Sequence, residues 1–189
     1  LKVDDQFALK DVGDPRISAD GKWVAYTVTA GDLKKDTSDT DIYLSPIGGG
    51  DAIRVTTSDK PERAPRFSPD GKWLAFLSGR VGSSSQVWLM NRAAGEAFTL
   101  TDYKASVSDL AWSPDSTRLA IVVSDVDPNA PADEDAPKDD KKTAKPIVVS
   151  RLQFKRDTEG YLNEIRSHIY VFDVKTKTRK VIAFLHPYF

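Results

Sequence analysis

A ten-residue stretch that occurs twice almost unchanged is the feature that most restricts the fold. Ile17-Ser18-Ala19-Asp20-Gly21-Lys22-Trp23-Val24-Ala25-Tyr26 returns as Phe67-Ser68-Pro69-Asp70-Gly71-Lys72-Trp73-Leu74-Ala75-Phe76. A weaker third copy runs Trp112-Ser113-Pro114-Asp115-Ser116-Thr117-Arg118-Leu119-Ala120-Ile121. The serines at 18, 68 and 113 set a period of roughly 45–50 residues, which suits one four-stranded propeller blade. Each copy reads as a hairpin turn: Pro sets φ, Asp bonds its own downstream N–H groups, and Gly accepts positive φ.

Strands follow from these turns. Ile17, Phe67 and Trp112 each close a first strand, and residues 24–28, 74–77 and 119–123 form a second. The second strands are apolar at successive positions, which predicts burial on both faces. Ala25, Ala75 and Ala120 predict close approach between sheets. Third strands centre on Ile42-Tyr43-Leu44, Val87-Trp88-Leu89 and Ile169-Tyr170-Val171, rich in β-branched and aromatic residues, and fourth strands fall at 53–56, 98–101 and 180–183. One short helical turn is predicted at 4–9, capped by Asp4 or Asp5. The predicted fold class is therefore all-β: a β-propeller segment of about three four-stranded antiparallel blades, with a hairpin insertion in the third. Its parts are a lead-in (1–14), blade 1 (15–57), blade 2 (64–101), blade 3 (107–183, with insertion 125–167) and a terminal segment (184–189).

Composition narrows the function. The 189 residues include 27 Lys and Arg against 28 Asp and Glu, a net charge of −1 that supplies no global field to hold nucleic acid or an anionic membrane. No stretch is apolar for long enough to predict a spanning helix. Cysteine is absent, which excludes disulfides and a thiolate nucleophile and leaves both redox compartments open.

Neither a cofactor nor a metal is expected. Gly48-Gly49-Gly50 is not followed by Gly-Lys-Ser/Thr, so it reads as a strand connection rather than a phosphate loop. A calcium loop opening at Asp125 would need Gly and Glu where the chain has Ala130 and Ala136, so the acidic, Pro-punctuated stretch 125–145 reads as a solvated loop. Two histidines, His168 and His186, leave few bases for a serine relay. No catalytic residue is expected either: a Gly-x-Ser-x-Gly elbow occurs nowhere, and the serine cluster 83–85 sits in a loop. Asp20, Asp70 and Asp115 read as turn caps, one per blade.

At the Ser-Pro-Asp-Gly-Lys-Trp blades, together with Phe7-Ala8-Leu9-Lys10, Gly13-Asp14-Pro15-Arg16 and the stretch Pro146-Ile147-Val148-Val149 with Gln153-Phe154-Lys155-Arg156-Asp157, the sequence resembles the N-terminal propeller of bacterial serine peptidases of the prolyl oligopeptidase family, in the acylaminoacyl-peptidase and dipeptidyl-peptidase-like branch. The resemblance covers residues 3 to about 181. It implies a propeller seated over an α/β-hydrolase domain, admitting peptides and excluding folded proteins. That catalytic domain is absent from this chain, and residues 184–189 do not open a fourth copy. The implied partners are peptide substrate through the parent enzyme, the hydrolase domain or further blades, and self-association. Periplasm or cytoplasm is implied, the periplasm slightly favoured. The blade motif also resembles TolB-type propellers, which bind proteins and cleave nothing.

The candidate contact site is the hairpin predicted at 147–162. Arg151, Phe154, Lys155, Arg156 and Tyr161 are basic or aromatic on a projecting element, types suited to a peptide's carboxylate or side chains; equally, they would pair with nearby acids and pack the hairpin down. Strand reversal in a meander places the connections at 30–40, 79–85 and 125–167 at one end of the propeller, where loops on a rigid scaffold carry binding groups.

Overall fold

The computed structural model describes residues 9–32, 36–82, 84–93, 95–125, 155–156, 160–161 and 166–184. Its strands are β1 (Lys10–Ile17), β2 (Trp23–Asp32), β3 (Thr37–Pro46), β4 (Ile53–Arg54), β5 (Glu62–Phe67), β6 (Trp73–Ser78), β7 (Gln86–Asn91), β8 (Phe98–Thr99), β9 (Val107–Trp112), β10 (Arg118–Ser124), β11 (Lys155–Arg156), β12 (Gly160–Tyr161), β13 (Ser167–Asp173) and β14 (Arg179–Phe184). They form three four-stranded sheets, β1-β2-β3-β4, β5-β6-β7-β8 and β9-β10-β13-β14, each an antiparallel meander, while β11 and β12 pair in a ladder of their own. The all-β reading with a hairpin in the third repeat thus holds. The predicted helical turn falls mostly on residues outside those described. β1 takes in residues 10–14, which the sequence places ahead of the first blade.

The repeated turn explains why three distant stretches fold alike. In the second copy Ser68 N donates to Trp73 O (2.9 Å), Gly71 N donates to Ser68 O (2.9 Å) and Trp73 N donates to Ser68 Oγ (2.9 Å). Ser68 Oγ donates to Asp70 Oδ1 (2.6 Å), which also accepts from Lys72 N (3.1 Å). The same set recurs around Ser18 and Asp20 and around Ser113 and Asp115. The left-handed position falls to Gly21 (φ 66°), Gly71 (φ 74°) and, without a glycine, Ser116 (φ 60°). Ser116 Oγ in turn accepts a bond from Asp70 N at 2.9 Å, tying the turns of two blades together.

The core sits between sheets, and the middle sheet supplies both halves of it. Leu74, Phe76 and Trp88 face the first sheet and pack with Ala25 and Ile42. Ala75, Leu77, Val87 and Leu89, the alternate residues of the same strands, face the third and pack with Val107, Leu110, Leu119, Ile121, Val123 and Phe172. Burial on both faces, expected of all three second strands, therefore holds for β6 alone, where every residue after Trp73 is buried. β2 and β10 alternate, because each has a neighbouring sheet on one side only. Ala25 and Ala75 are fully buried at the sheet-to-sheet contacts, whereas Ala120 lies on the far face of β10 and is half-buried.

Polar ties join the blades along their first strands. Arg66 Nη1 donates to Asp14 Oδ2 (2.8 Å), and Trp112 Nε1 donates to Arg66 O (3.0 Å). Arg63 donates to the carbonyls of Ser108 and Val107 (3.2 and 3.3 Å). These bonds fix how one blade sits on the next, whereas the apolar layers supply the larger energy, about 1.5–3 kcal/mol for each large side chain buried.

Two expectations follow. Leu89→Ala should cost about 2–5 kcal/mol in denaturant unfolding, while Ile47→Ala, at a half-exposed turn position, should stay within about 0.5 kcal/mol; equal costs would contradict the two-sided core. The caps also make stability depend on pH. The bond from Ser113 Oγ, followed by those from Thr117, lowers the Asp115 carboxyl from 3.8 to about 2, and Asp20 and Asp70 are lowered for the same reason. A depressed folded value means that the contribution is complete above 3.8 and is lost as pH falls through about 2. The melting temperature of Asp115→Asn should accordingly lie below that of the parent sequence at neutral pH and converge with it at low pH.

Candidate functional site

Successive strands of a meander run in opposite directions, so the β6–β7 and β10–β13 connections fall at the end where one blade passes to the next. The bonds there are direct. Ser84 Oγ donates to Lys104 O (2.8 Å), Val107 N to Ser85 O (2.7 Å) and Ser124 N to Ser106 O (3.2 Å), so the linker after β8 is held between the β6–β7 loop and the end of β10. The expected gathering of these loops at one end is present for the described parts; residues 33–35 and 83, and 126–154, 157–159 and 162–165 of the third connection, lie outside them.

The root of the third-blade insertion is closed by one side chain. Asp125 N donates to Arg166 O (2.7 Å), Arg166 N returns a bond to Asp125 Oδ2 (3.1 Å), and His168 Nε2 lies 2.7 Å from Asp125 Oδ1. The His168 bond, more than any other cause, holds the Asp125 carboxyl below the usual carboxylate range. Both ends of a long insertion are thereby pinned to the sheet. The neighbouring hydroxyls of Ser124 and Ser167 face each other at 3.4 Å.

Of the residues singled out from the sequence, Lys155 and Arg156 form β11, and Tyr161 ends β12. The register sets Lys155 opposite Tyr161 and Arg156 opposite Gly160. Arg151 and Phe154 lie outside the described residues. Among the described residues no group of three His, Asp or Glu is placed to hold a metal ion, and no helix is long and apolar enough to cross a membrane.

Sequence reasoning passed over a polar cluster at the same end of the middle blade. Glu62, the first residue of β5, is fully buried and pairs across the ladder with Ser78. Its Oε1 accepts bonds from Ser58 Oγ, Ser78 Oγ (3.3 Å) and Arg80 Nε (2.9 Å). The Arg80 guanidinium lies 5.0 Å from the Trp88 ring centroid and 5.3 Å from that of Phe76. Glu62 Oε2 and Trp88 Nε1 are buried with no hydrogen-bond partner. The signal was available in the repeat: Glu62 occupies a position held by Val12 and Val107 in the other two blades.

Comparison with known proteins agrees with this architecture. No protein-family model matches the chain. An uncharacterized peptidase of Bacillus subtilis (strain 168), YuxL, is 31% identical over 183 residues, 97% of this chain and 28% of its own length. Among solved structures, the acylaminoacyl peptidase of Pyrococcus horikoshii superposes with a TM-score of 0.69 at 21% identity, covering 95% of this chain and 25% of that one. The β-propeller domain of the trilobed protease of Pyrococcus furiosus gives 0.54 at 22% identity, with 95% and 44% covered. A protein of Agrobacterium tumefaciens provisionally assigned as TolB gives 0.55 at 19%, with 87% and 46% covered. At these identities the superpositions speak to the fold, and the chain spans about a quarter of the length of the two larger peptidases. In sequence the chain is similar to a peptidase, and in fold to part of an acylaminoacyl peptidase and to the β-propeller domain of a protease.

Proposed function

We propose that this chain is the non-catalytic propeller segment of a serine peptidase, acylaminoacyl- or dipeptidyl-peptidase-like, and that it gates and orients peptide substrates for a hydrolase domain elsewhere in the parent protein. The observation that carries this reading is the similarity to a peptidase along 97% of the chain. The loop-bearing end of the blades is the natural place for the contact, with Arg151, Phe154, Lys155, Arg156 and Tyr161 as the proposed substrate or domain contacts. A protein-binding propeller of the TolB type is the rival reading, favoured by the superposition on the Agrobacterium protein. A Gly-x-Ser-x-Gly strand-turn-helix in the parent, with later Asp and His, decides between them.

The outer faces of the first and third sheets bear on partners. Val12 and Ile17 on one, and Ile182 on the other, are more than half exposed, and closed propellers use about four to eight blades. Further blades of the parent cover these faces in this reading, and in the isolated chain they mediate self-association. Light scattering at rising concentration should show a mass above that of the monomer; a monodisperse, thermally stable monomer would count against it.

Gating is tested in the parent enzyme. Deleting residues 155–161 should change kcat/KM for peptides several-fold, with a different ratio for short and long substrates. Unchanged kinetics and assembly would overturn the role given to the hairpin.

A further inference from the structure

The buried Glu62–Arg80 pair is not required by the fold, and the repeat shows this internally. The residue pair that Glu62 and Ser78 form across β5 and β6 is matched by Val12 and Val28 across β1 and β2, and by Val107 and Val123 across β9 and β10. The third blade buries its pair, Val107 and Val123, as an apolar contact, whereas Val12 of the first lies on an exposed outer face. The middle blade instead buries a carboxylate and two hydroxyl partners, an arrangement that stabilises little compared with apolar residues of similar volume. The position of Arg80 is taken by Ala30 in the first blade and Asp125 in the third, so its charge is likewise particular to the middle blade. Phe76 and Trp88 occupy a paired site that is aromatic in part elsewhere, Tyr26 with Tyr43 and Ile121 with Tyr170.

The cluster leaves Arg80 oriented with its hydrogen-bonding fork unspent. Glu62 Oε1 takes the Nε donor, and the guanidinium lies against two aromatic rings, so neither rotation nor retraction is free. Among the described residues Nη1 and Nη2 make no hydrogen bond or ion pair. The side chain is 23% exposed, at the end of β6 where the β6–β7 loop begins. A planar guanidinium held by its Nε edge and its face presents the geometry that binds a carboxylate through two parallel bonds.

We infer that Arg80, positioned by Glu62, Ser78, Phe76 and Trp88, is a docking point for a carboxylate group on a peptide ligand. This deepens the peptide-handling function proposed above and rests on it for the identity of the ligand as a peptide. The carboxylate comes either from a free peptide C-terminus or from an acidic side chain, and Glu62 and Ser78 act as positioning residues that do not meet the ligand.

The test is an NMR titration of the full 189-residue chain, reading the Arg80 guanidinium Nε–H and the Trp88 indole N–H. Three tetrapeptides of common sequence are added: one with a free C-terminus and no acidic residue, one amidated with an internal Glu, and one amidated and uncharged. One or both carboxylate peptides should shift these resonances in a saturable way, and the neutral peptide should bind about tenfold more weakly or less. Which carboxylate peptide binds identifies the source. Arg80→Lys, which keeps the charge but removes the fork, should weaken binding by a similar factor. Glu62→Val/Ser78→Val, which copies the pair used by the other two blades, should melt at or above the temperature of the parent chain and still lose affinity. Equal binding of acid and neutral peptides, no shift with any peptide, or full affinity in Arg80→Lys would overturn the inference. Because the readout needs no hydrolase domain, a parent without peptidase activity leaves a carboxylate site standing, and a failed titration leaves the peptidase reading standing.

Discussion

Burial of the middle sheet on both faces is the constraint on which the rest of this structure depends. A single twisted sheet of four short strands has little to hold it, and the fourth strands of the first and middle sheets, β4 and β8, are only two residues long. Alternation along β6 and β7 sends Leu74, Phe76 and Trp88 one way and Ala75, Leu77, Val87 and Leu89 the other. Each flanking sheet therefore completes half of a core it does not own. Without that arrangement the outer sheets have nothing to bury Ala25, Ile42, Leu119 or Ile121 against.

Polar groups decide registration rather than cohesion. The serine at the start of each turn both donates to the aspartate and accepts from the backbone N–H five residues on, which closes the hairpin at a fixed length and sets which residues face inward. The link from Asp70 N to Ser116 Oγ, and Arg66 lying between the blades with a bond to Asp14, then fix one blade against the next. Hydrogen bonds of this kind contribute about 1 kcal/mol each, yet they are directional in a way the apolar layers are not.

The Glu62 cluster departs from this economy. It places a carboxylate at a position where the two sibling blades carry valine, leaves one of its oxygens without a partner, and orients an arginine whose outer donors make no bond among the described residues. Local departures from a repeat that are costly to bury are more readily explained by recognition than by stability. The same end of the blades carries the insertion root pinned by Asp125.

The sequence by itself determined the repeat, the turn chemistry, the blade count and the sheet order, because hairpin pairing is local and its signals lie within a few residues of each other. Ser18, Ser68 and Ser113, each with an aspartate two residues later, announce a turn without reference to the rest of the chain. It also marked the third-blade insertion, and with it a paired ladder at 155–156 and 160–161. Tertiary structure decided which apolar strand is sandwiched: residues 24–28, 74–77 and 119–123 look alike in hydropathy, and only the presence of a sheet on each side separates β6 from β2 and β10. It also decided the candidate site, since Glu62, Arg80 and Trp88 lie on three strands or their ends and read singly as an acid, a loop cation and a core aromatic. Their meaning depends on burial and mutual distance, and neither is written in a linear pattern.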